Sequence, residues 1–268
     1  MSPPFARKRF GQHFLVQPAI AERIVALAGL RQDGVALEIG PGRGALTRLL
    51  APRCQRLLLI EVDRDLAEQL RQTYADQPAV EVITGDVLKV DLQALIGGAA
   101  PVTVVANLPY NISTPVLMRL LGQPQLFVRL VLMLQREVAE RIVAVAGNKT
   151  YGALSVAVQT VADTRIAMRV PPTAFAPRPQ VESALVVIEP RRPAPLDAAQ
   201  RQALRHVVRT AFSRRRKQLA NVIAPLTPDP HAVLGALGLD PRQRPETLTP
   251  ADFVRLAAAL RNDVSGDQ

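Results

Sequence analysis

The stretch Val35–Thr47, VALEIGPGRGALT, decides how this chain is built: a short apolar run, then glycines at positions 40, 42 and 44, then a run that reads as helix. An apolar run broken at once by glycines points to a β-strand turning sharply into a helix. Glycine there lets the backbone approach a ligand closely, and the first helical N–H groups face it. A small molecule belongs at such a turn. Gly40 to Ala45 also satisfies the loose dinucleotide fingerprint, and Glu61, about twenty residues on, fits the acid that binds a nicotinamide dinucleotide ribose. The first sixty residues therefore leave a nicotinamide enzyme and an S-adenosylmethionine enzyme both open.

Working outward, strand and helix signals alternate. LEIG is followed by ALTRLL, RLLLIEV by RDLAEQLRQTY, then VEVITGDV, then VTVVAN with a helix from about Thr114 to Leu121, then FVRLVLML and QREVAERIVAVA. Short, nearly continuous apolar strands separated by amphipathic helices predict a parallel sheet covered on both faces. Ligands of such sheets bind beyond the carboxyl ends of the strands, which singles out Gly40, Glu61, Asp86 and Asn107. GALSVAVQTVA then reads as helix, and RIAMRV and ALVVIEP read as two strands able to pair as a closing hairpin. The pattern breaks at PRRPAP, Pro190 to Pro195, a proline-rich basic linker. From Asp197, a candidate N-cap, only helix signals follow. The expected division is a first domain over residues 1–192, with a basic arm at 1–16, and a small all-α domain over 193–268. Pro18 near its start and Gly29 at its end bracket the helix that follows the arm.

The chain has 268 residues, 48% of them apolar, enough for a substantial core. Its formal net charge of +10 is concentrated. Between Arg191 and Lys217 nine basic residues face one acid, Asp197, and Arg7, Lys8 and Arg9 stand unopposed at the amino end. Two such clusters suggest an extended polyanion as partner. A single cysteine, Cys54, excludes an intrachain disulfide and reads as core filler, and three separated histidines offer no metal spacing, so no metal is expected. No apolar run approaches the roughly 18 to 20 residues of a membrane span, and the start MSPPFARKRFGQ lacks the apolar centre of a signal peptide. The expectation is a cytoplasmic monomer with no membrane contact. FARKRFGQHFL has neither helical nor strand period, but Phe10, Phe14 and Leu15 are too apolar for a free tail, so the arm is expected against the ligand end of the domain.

Among the strand ends, Glu61 offers a carboxylate for two vicinal ribose hydroxyls, and Asp86 one for the amino group of adenine. Asn107-Leu108-Pro109-Tyr110, closing VTVVAN, is the deciding set. The Asn107 side-chain oxygen and the Pro109 carbonyl can each accept one N–H of an exocyclic amine, and Tyr110 offers a face for stacking, worth on the order of 1–3 kcal/mol per base. No nicotinamide chemistry requires that set. TAFSRRRKQLAN, with Arg214, Arg215, Arg216 and Lys217 in succession, is the best candidate for gripping RNA phosphates, with Arg7 to Arg9 as a second contact.

The order RKRFGQHFL, EIGPGRGALT, IEVD, TGDVL, NLPYNIS and VPPTAFAPRPQVESALV resembles the ribosomal RNA adenine N6,N6-dimethyltransferases (KsgA/RsmA type) over nearly the whole chain. NLPYNIS together with F-x-P-x-P-x-V-x-S from Phe175 to Ser183 is the specific part. The resemblance implies a class I, Rossmann-like α/β methyltransferase with a mostly parallel seven-stranded sheet, plus the helical domain. It implies that an arm at Gln12, His13 and Leu15 covers S-adenosylmethionine, that Gly40 and Gly42 hold its methionine part, that Glu61 binds the ribose and Asp86 the adenine. Asn107 then lies between cofactor and target base, and Phe175 packs on that base opposite Tyr110. The family commonly carries Asn where this chain has His13, and without the family Phe175 reads as core. The implied substrate is 16S rRNA in the small ribosomal subunit or its precursor, dimethylated at two adjacent adenosines near the 3′ end. The nearest alternative is an erythromycin-resistance type methyltransferase acting on large-subunit 23S rRNA; RRRKQLAN and FAPRPQVESALV favour the small subunit. A reading from another class is an RNA-binding assembly factor in which methylation is secondary.

Overall fold

A computed structural model describes residues 11–214 and 216–265, with side chains to residue 261. The predicted arm residues Arg7, Lys8 and Arg9, and Arg215, lie outside the described residues.

Nine strands and eleven α-helices are assigned among the described residues, with short 3₁₀ turns between some of them. The strands are β1 (Phe14–Leu15), β2 (Val35–Ile39), β3 (Arg56–Glu61), β4 (Val80–Thr84), β5 (Val102–Asn107), β6 (Phe127–Gln135), β7 (Ala162–Val170), β8 (Phe175–Ala176) and β9 (Ser183–Pro190). The first seven helices are α1 (Pro18–Ala28), α2 (Thr47–Leu50), α3 (Arg64–Thr73), α4 (Leu92–Ile96), α5 (Ser113–Leu121), α6 (Arg136–Val143) and α7 (Ala153–Gln159). The last four are α8 (Ala198–Ser213), α9 (Leu219–Ile223), α10 (Pro230–Ala236) and α11 (Pro250–Ser265).

Seven strands form one sheet in the order β4-β3-β2-β5-β6-β9-β7. The pairs from β4 through β6 are parallel, and β6 pairs antiparallel with β9, so the sheet is mostly parallel as the apolar runs predict. Leu37, Leu58, Leu59, Val104 and Val105 are buried, as strands covered on both faces must be. The chain runs outward from β2 to β3 and β4 on one side and to β5 and β6 on the other. The β2–β5 junction is thus the topological switch point, beyond whose carboxyl ends a crevice opens. β1 and β8 form a separate two-stranded antiparallel ribbon, Leu15 opposite Phe175.

Local chemistry sets the element ends. α1 starts with Pro18 and stops at Gly29, whose φ of +59 is the left-handed conformation glycine adopts without penalty. α8 starts at Asp197, which accepts from the Gln200 N–H while the Gln200 side chain accepts from the Asp197 N–H, a capping box worth about 1 kcal/mol. The helix read over ALTRLL is shorter than its sequence signal. Only Thr47–Leu50 is α-helical, and a 3₁₀ turn carries Pro52, which cannot supply the next hydrogen bond.

The chain forms two compact units, residues 1–139 with 163–190, and residues 140–162 with 191–268. The linker at Pro190 to Pro195 lies at one of these junctions, but residues 140–162, assigned to the first domain by the sequence reading, go with the second unit. The reason is hydrophobic. Ala144, Tyr151 and Val156 bury themselves in one cluster with Leu204, Val208, Leu219 and Phe253, and the Tyr151 hydroxyl donates to the Leu248 carbonyl at 2.8 Å. In the first unit Ile24, Leu57, Val105, Val131 and Leu185 belong to the core against which α1 packs. Cys54 is buried there, as core filler should be. Among the described residues no helix is long and apolar enough to cross a membrane.

Candidate active site

A cavity of about 310 Å³ lies in the first unit at the switch point, walled by the ends of β2, β3 and β5, the turns after them, the Gly85–Val87 turn after β4, and residues 11–15. Gln12, His13, Leu15, Gly40, Gly42, Glu61, Asp86, Asn107, Leu108, Pro109 and Tyr110 all line it, so eleven sequence-predicted residues from five segments converge. Phe175 does not.

The glycine turn is tight because Gly40, Gly42 and Gly44 all take positive φ, +68, +57 and +75. A side chain at Gly42 would begin 3.0 Å from the Phe14 ring, so the arm and the turn fit only without one. Arg43 crosses that ring 4.4 Å from its centre.

Glu61 is 3% exposed. One of its oxygens, Oε2, accepts the Gly42 N–H and Oε1 accepts the Asp63 N–H, each at 2.9 Å. Burial pushes its pKa up, against the pull of these N–H donors. As a carboxylate it can accept further hydrogen bonds, and a pair of acceptor oxygens is what two vicinal hydroxyls need. Asp86 accepts the Leu88 N–H at 2.9 Å through Oδ1, leaving Oδ2 for an amino group.

Asn107 ends β5, and its amide is oriented by the arm: Nδ2 donates to the His13 carbonyl at 2.9 Å. With the amide turned so that Nδ2 faces the arm, Oδ1 remains as an acceptor. The Pro109 carbonyl takes the Ile112 N–H at 3.2 Å and keeps its second lone pair. Leu108 is buried and its N–H donates to the Met133 carbonyl on β6, pinning the turn to the sheet. The Tyr110 carbonyl accepts from Ser113 Oγ at 3.1 Å and its hydroxyl shares a 2.8 Å hydrogen bond with Ser183 Oγ. The His13 ring stacks on Tyr110, centroids 5.6 Å apart at 28°. His13 Nδ1 lies 2.8 Å from the Pro177 carbonyl, and because a carbonyl only accepts, Nδ1 carries the proton.

Phe175 departs from the reading that put it beside Tyr110. It is 2% exposed and sits in the first unit's core, because its strand partner Leu15 and the neighbouring Ala174 carry it inward. In the second unit Arg214, Arg216 and Lys217 are exposed and, among the described residues, in no ion pair, and Arg205 and Arg209 continue the basic stripe along α8. The described residues contain no cluster of three or more side chains able to hold a metal.

Three residues of the site escaped the sequence reading. Glu38, 1% exposed, lines the cavity from mid-strand and accepts from Thr47 Oγ1 at 2.7 Å; an acid inside the apolar run VALEI was the available signal. Asp63, 3% exposed, caps α3 and takes the Gln12 amide at 3.4 Å; Asp before RDLAEQL was its signal. Ser183 carried none beyond its place in the motif.

Comparison with known proteins agrees with this architecture. A family model described as ribosomal RNA adenine dimethylase matches residues 5–262. The chain is similar to ribosomal RNA small subunit methyltransferase A of Synechococcus sp. (strain JA-3-3Ab), 43% identical over 96% of this chain and 94% of that one. It is also similar to the protein of the same name from Geobacter metallireducens, 44% identical over 95% of each. Among solved structures it resembles a dimethyladenosine transferase from Plasmodium falciparum, TM-score 0.83 at 26% identity over 94% of this chain and 98% of that one. It resembles the 23S rRNA methyltransferase ErmE less closely, TM-score 0.71 at 26% identity over 92% and 99%. With one family model spanning nearly all of the sequence and relatives above two-fifths identical along its length, the chain belongs to the ribosomal RNA adenine dimethylase family.

Proposed function

We propose that the chain is an S-adenosylmethionine-dependent enzyme that dimethylates N6 of two adjacent adenosines in a loop near the 3′ end of 16S rRNA, in the small ribosomal subunit or its precursor. The observation that carries this reading is the convergence of Glu61, Asp86, Asn107 and Tyr110 on one cavity. The residues present fit the cofactor: a buried carboxylate for ribose hydroxyls, a second for an adenine amine, and a backbone turn without side chains. Glu61 and Asp86 would hold the adenosine part and Gly40 and Gly42 the methionine part, with Gln12, His13 and Leu15 covering it.

When bound, S-adenosylmethionine supplies an electrophilic methyl group. The protein's own task is positioning, bringing N6 to roughly 3 Å behind that carbon and in line. The N6 lone pair is delocalised into the adenine ring. Asn107 Oδ1 and the Pro109 carbonyl, accepting its two hydrogens, favour a pyramidal nitrogen and stabilise the positive charge that develops there. No side chain acts as general base, since the cationic product loses its proton readily. Tyr110 stacks on the base, which must be unpaired or flipped out at a cost of a few kcal/mol. The face of Phe175 becomes available only if the β1–β8 ribbon loosens. Arg214 to Lys217 and Arg7 to Arg9 grip phosphates, and the protein acts as a cytoplasmic monomer.

The names of the relatives at 43% and 44% identity favour the small subunit over the large one. The test is incubation with methyl-labelled cofactor and three substrates: undermodified small subunits, naked small-subunit RNA and large-subunit RNA, followed by nucleoside analysis. Dimethyladenosine from small-subunit material is expected. Label confined to large-subunit RNA would replace this reading with the erythromycin-resistance type.

A further inference from the structure

Tyr110 is fixed at both ends, and only one end belongs to its own turn. Its backbone carbonyl is tied to Ser113 at the start of α5. Its hydroxyl reaches across the sheet edge to Ser183, the first residue of β9. Ser183 is 0% exposed, and a buried hydroxyl without a partner is costly, so this side chain is committed to the tyrosine. The segment bearing Ser183 is itself clamped. Ser183 lies in register with Gln135 at the end of β6, and the Arg136 N–H donates to the Glu182 carbonyl at 2.9 Å. The Arg136 and Glu182 side chains meet at 2.6 Å. A tyrosine ring held only through its Cα swings about two side-chain torsions; tied at the hydroxyl to a rigid strand end, its long axis keeps one direction, while the stacked His13 ring limits rotation about that axis.

We propose that Ser183 is a positioning residue for methyl transfer: its hydroxyl bond to Tyr110 fixes the direction of the ring axis, and so where the face on which the target adenine stacks lies relative to the methyl carbon. The proposal rests on the reading of Tyr110 as the stacking face. It explains why a small polar side chain is buried at the head of the apolar run ALVVI. It also assigns the serine that closes F-x-P-x-P-x-V-x-S a mechanical task, set by Ser183 rather than by Phe175.

The test is a double-mutant cycle on single-turnover transfer to small-subunit RNA, using Ser183→Ala, Tyr110→Phe and the pair. Each single variant should lower the rate of transfer about five-fold, the worth of one ordinary hydrogen bond, with the Kd for S-adenosylmethionine unchanged. Because both remove the same bond, the double variant should be no slower than the slower single one. Tyr110→Phe keeps the ring, so it serves even if Ser183→Ala folds poorly, and thermal unfolding of all three separates a stability loss from a rate loss. Fold-changes that multiply in the double variant, or wild-type transfer by either single variant, would overturn the proposal while leaving the methyltransferase reading intact. A wild-type protein that methylates no adenosine would overturn both.

Discussion

Replacing Glu38 with glutamine should give the protein a stability advantage over wild type that grows as pH rises. Glu38 is 1% exposed and its one hydrogen bond among the described residues is the 2.7 Å donation from Thr47 Oγ1. Burial is the largest influence on its carboxyl, the Thr47 bond opposes it, and the Glu61 charge adds to it, pushing the pKa up to about 8. Burial, and then the Glu38 charge, push the Tyr74 hydroxyl up in turn. In the unfolded chain the same carboxyl titrates near about 4.3. Between those values the folded protein binds the extra proton, so its stability is fully present below the unfolded pKa and is lost as pH rises toward 8. At about 1.4 kcal/mol per pH unit the span amounts to on the order of 5 kcal/mol, a large share of the roughly 5–15 kcal/mol that holds a domain together. Gln has the shape of the protonated acid and can still accept from Thr47. Glu38→Gln should therefore match wild type within about 1 kcal/mol at pH 5 and exceed it by several kcal/mol at pH 9. Urea unfolding of the ligand-free protein at intervals from pH 5 to 9 measures this. Glu61 contributes in the same direction, so the diagnostic is the difference between the two proteins. Parallel stability curves would mean that Glu38 is ionised in the folded state and would refute the argument.

Asn107→Ala removes an acceptor that acts on developing charge, so transfer should fall by about 10²–10³-fold while RNA binding, measured by filter retention, stays nearly unchanged; transfer at the wild-type rate would exclude Asn107. Gly42→Ala sets a methyl group 3.0 Å from Phe14 in a left-handed conformation that costs about 1–2 kcal/mol, and should weaken S-adenosylmethionine binding by calorimetry about tenfold or more. Neutralising Arg214, Arg216 and Lys217 together should flatten the plot of log K against log salt by about 2 to 3, and an unchanged slope would exclude that surface.

The sheet was legible because strands buried on both faces leave continuous apolar runs, RLLLIE and VTVVAN being the plainest, and because a parallel sheet confines ligands to one edge. Glu61, Asp86 and Asn107 could therefore be read as neighbours although they are far apart in the chain. What the sequence did not carry was tertiary pairing. Nothing in FARKRFGQHFL states that Phe14 and Leu15 pair with Phe175 and Ala176, and that pairing is what buries Phe175 and brings the His13 carbonyl to Asn107. Nor does QREVAERIVAVA state that its far end and Tyr151 leave the first unit, since an amphipathic helix advertises an apolar face and not the core that will receive it.

The most direct measurement is a crystal structure with S-adenosylmethionine bound. The account predicts its ribose hydroxyls on Glu61, its adenine amine on Asp86, and its methyl carbon facing the wall formed by Asn107 and Tyr110. A methyl carbon directed away from both residues would contradict it.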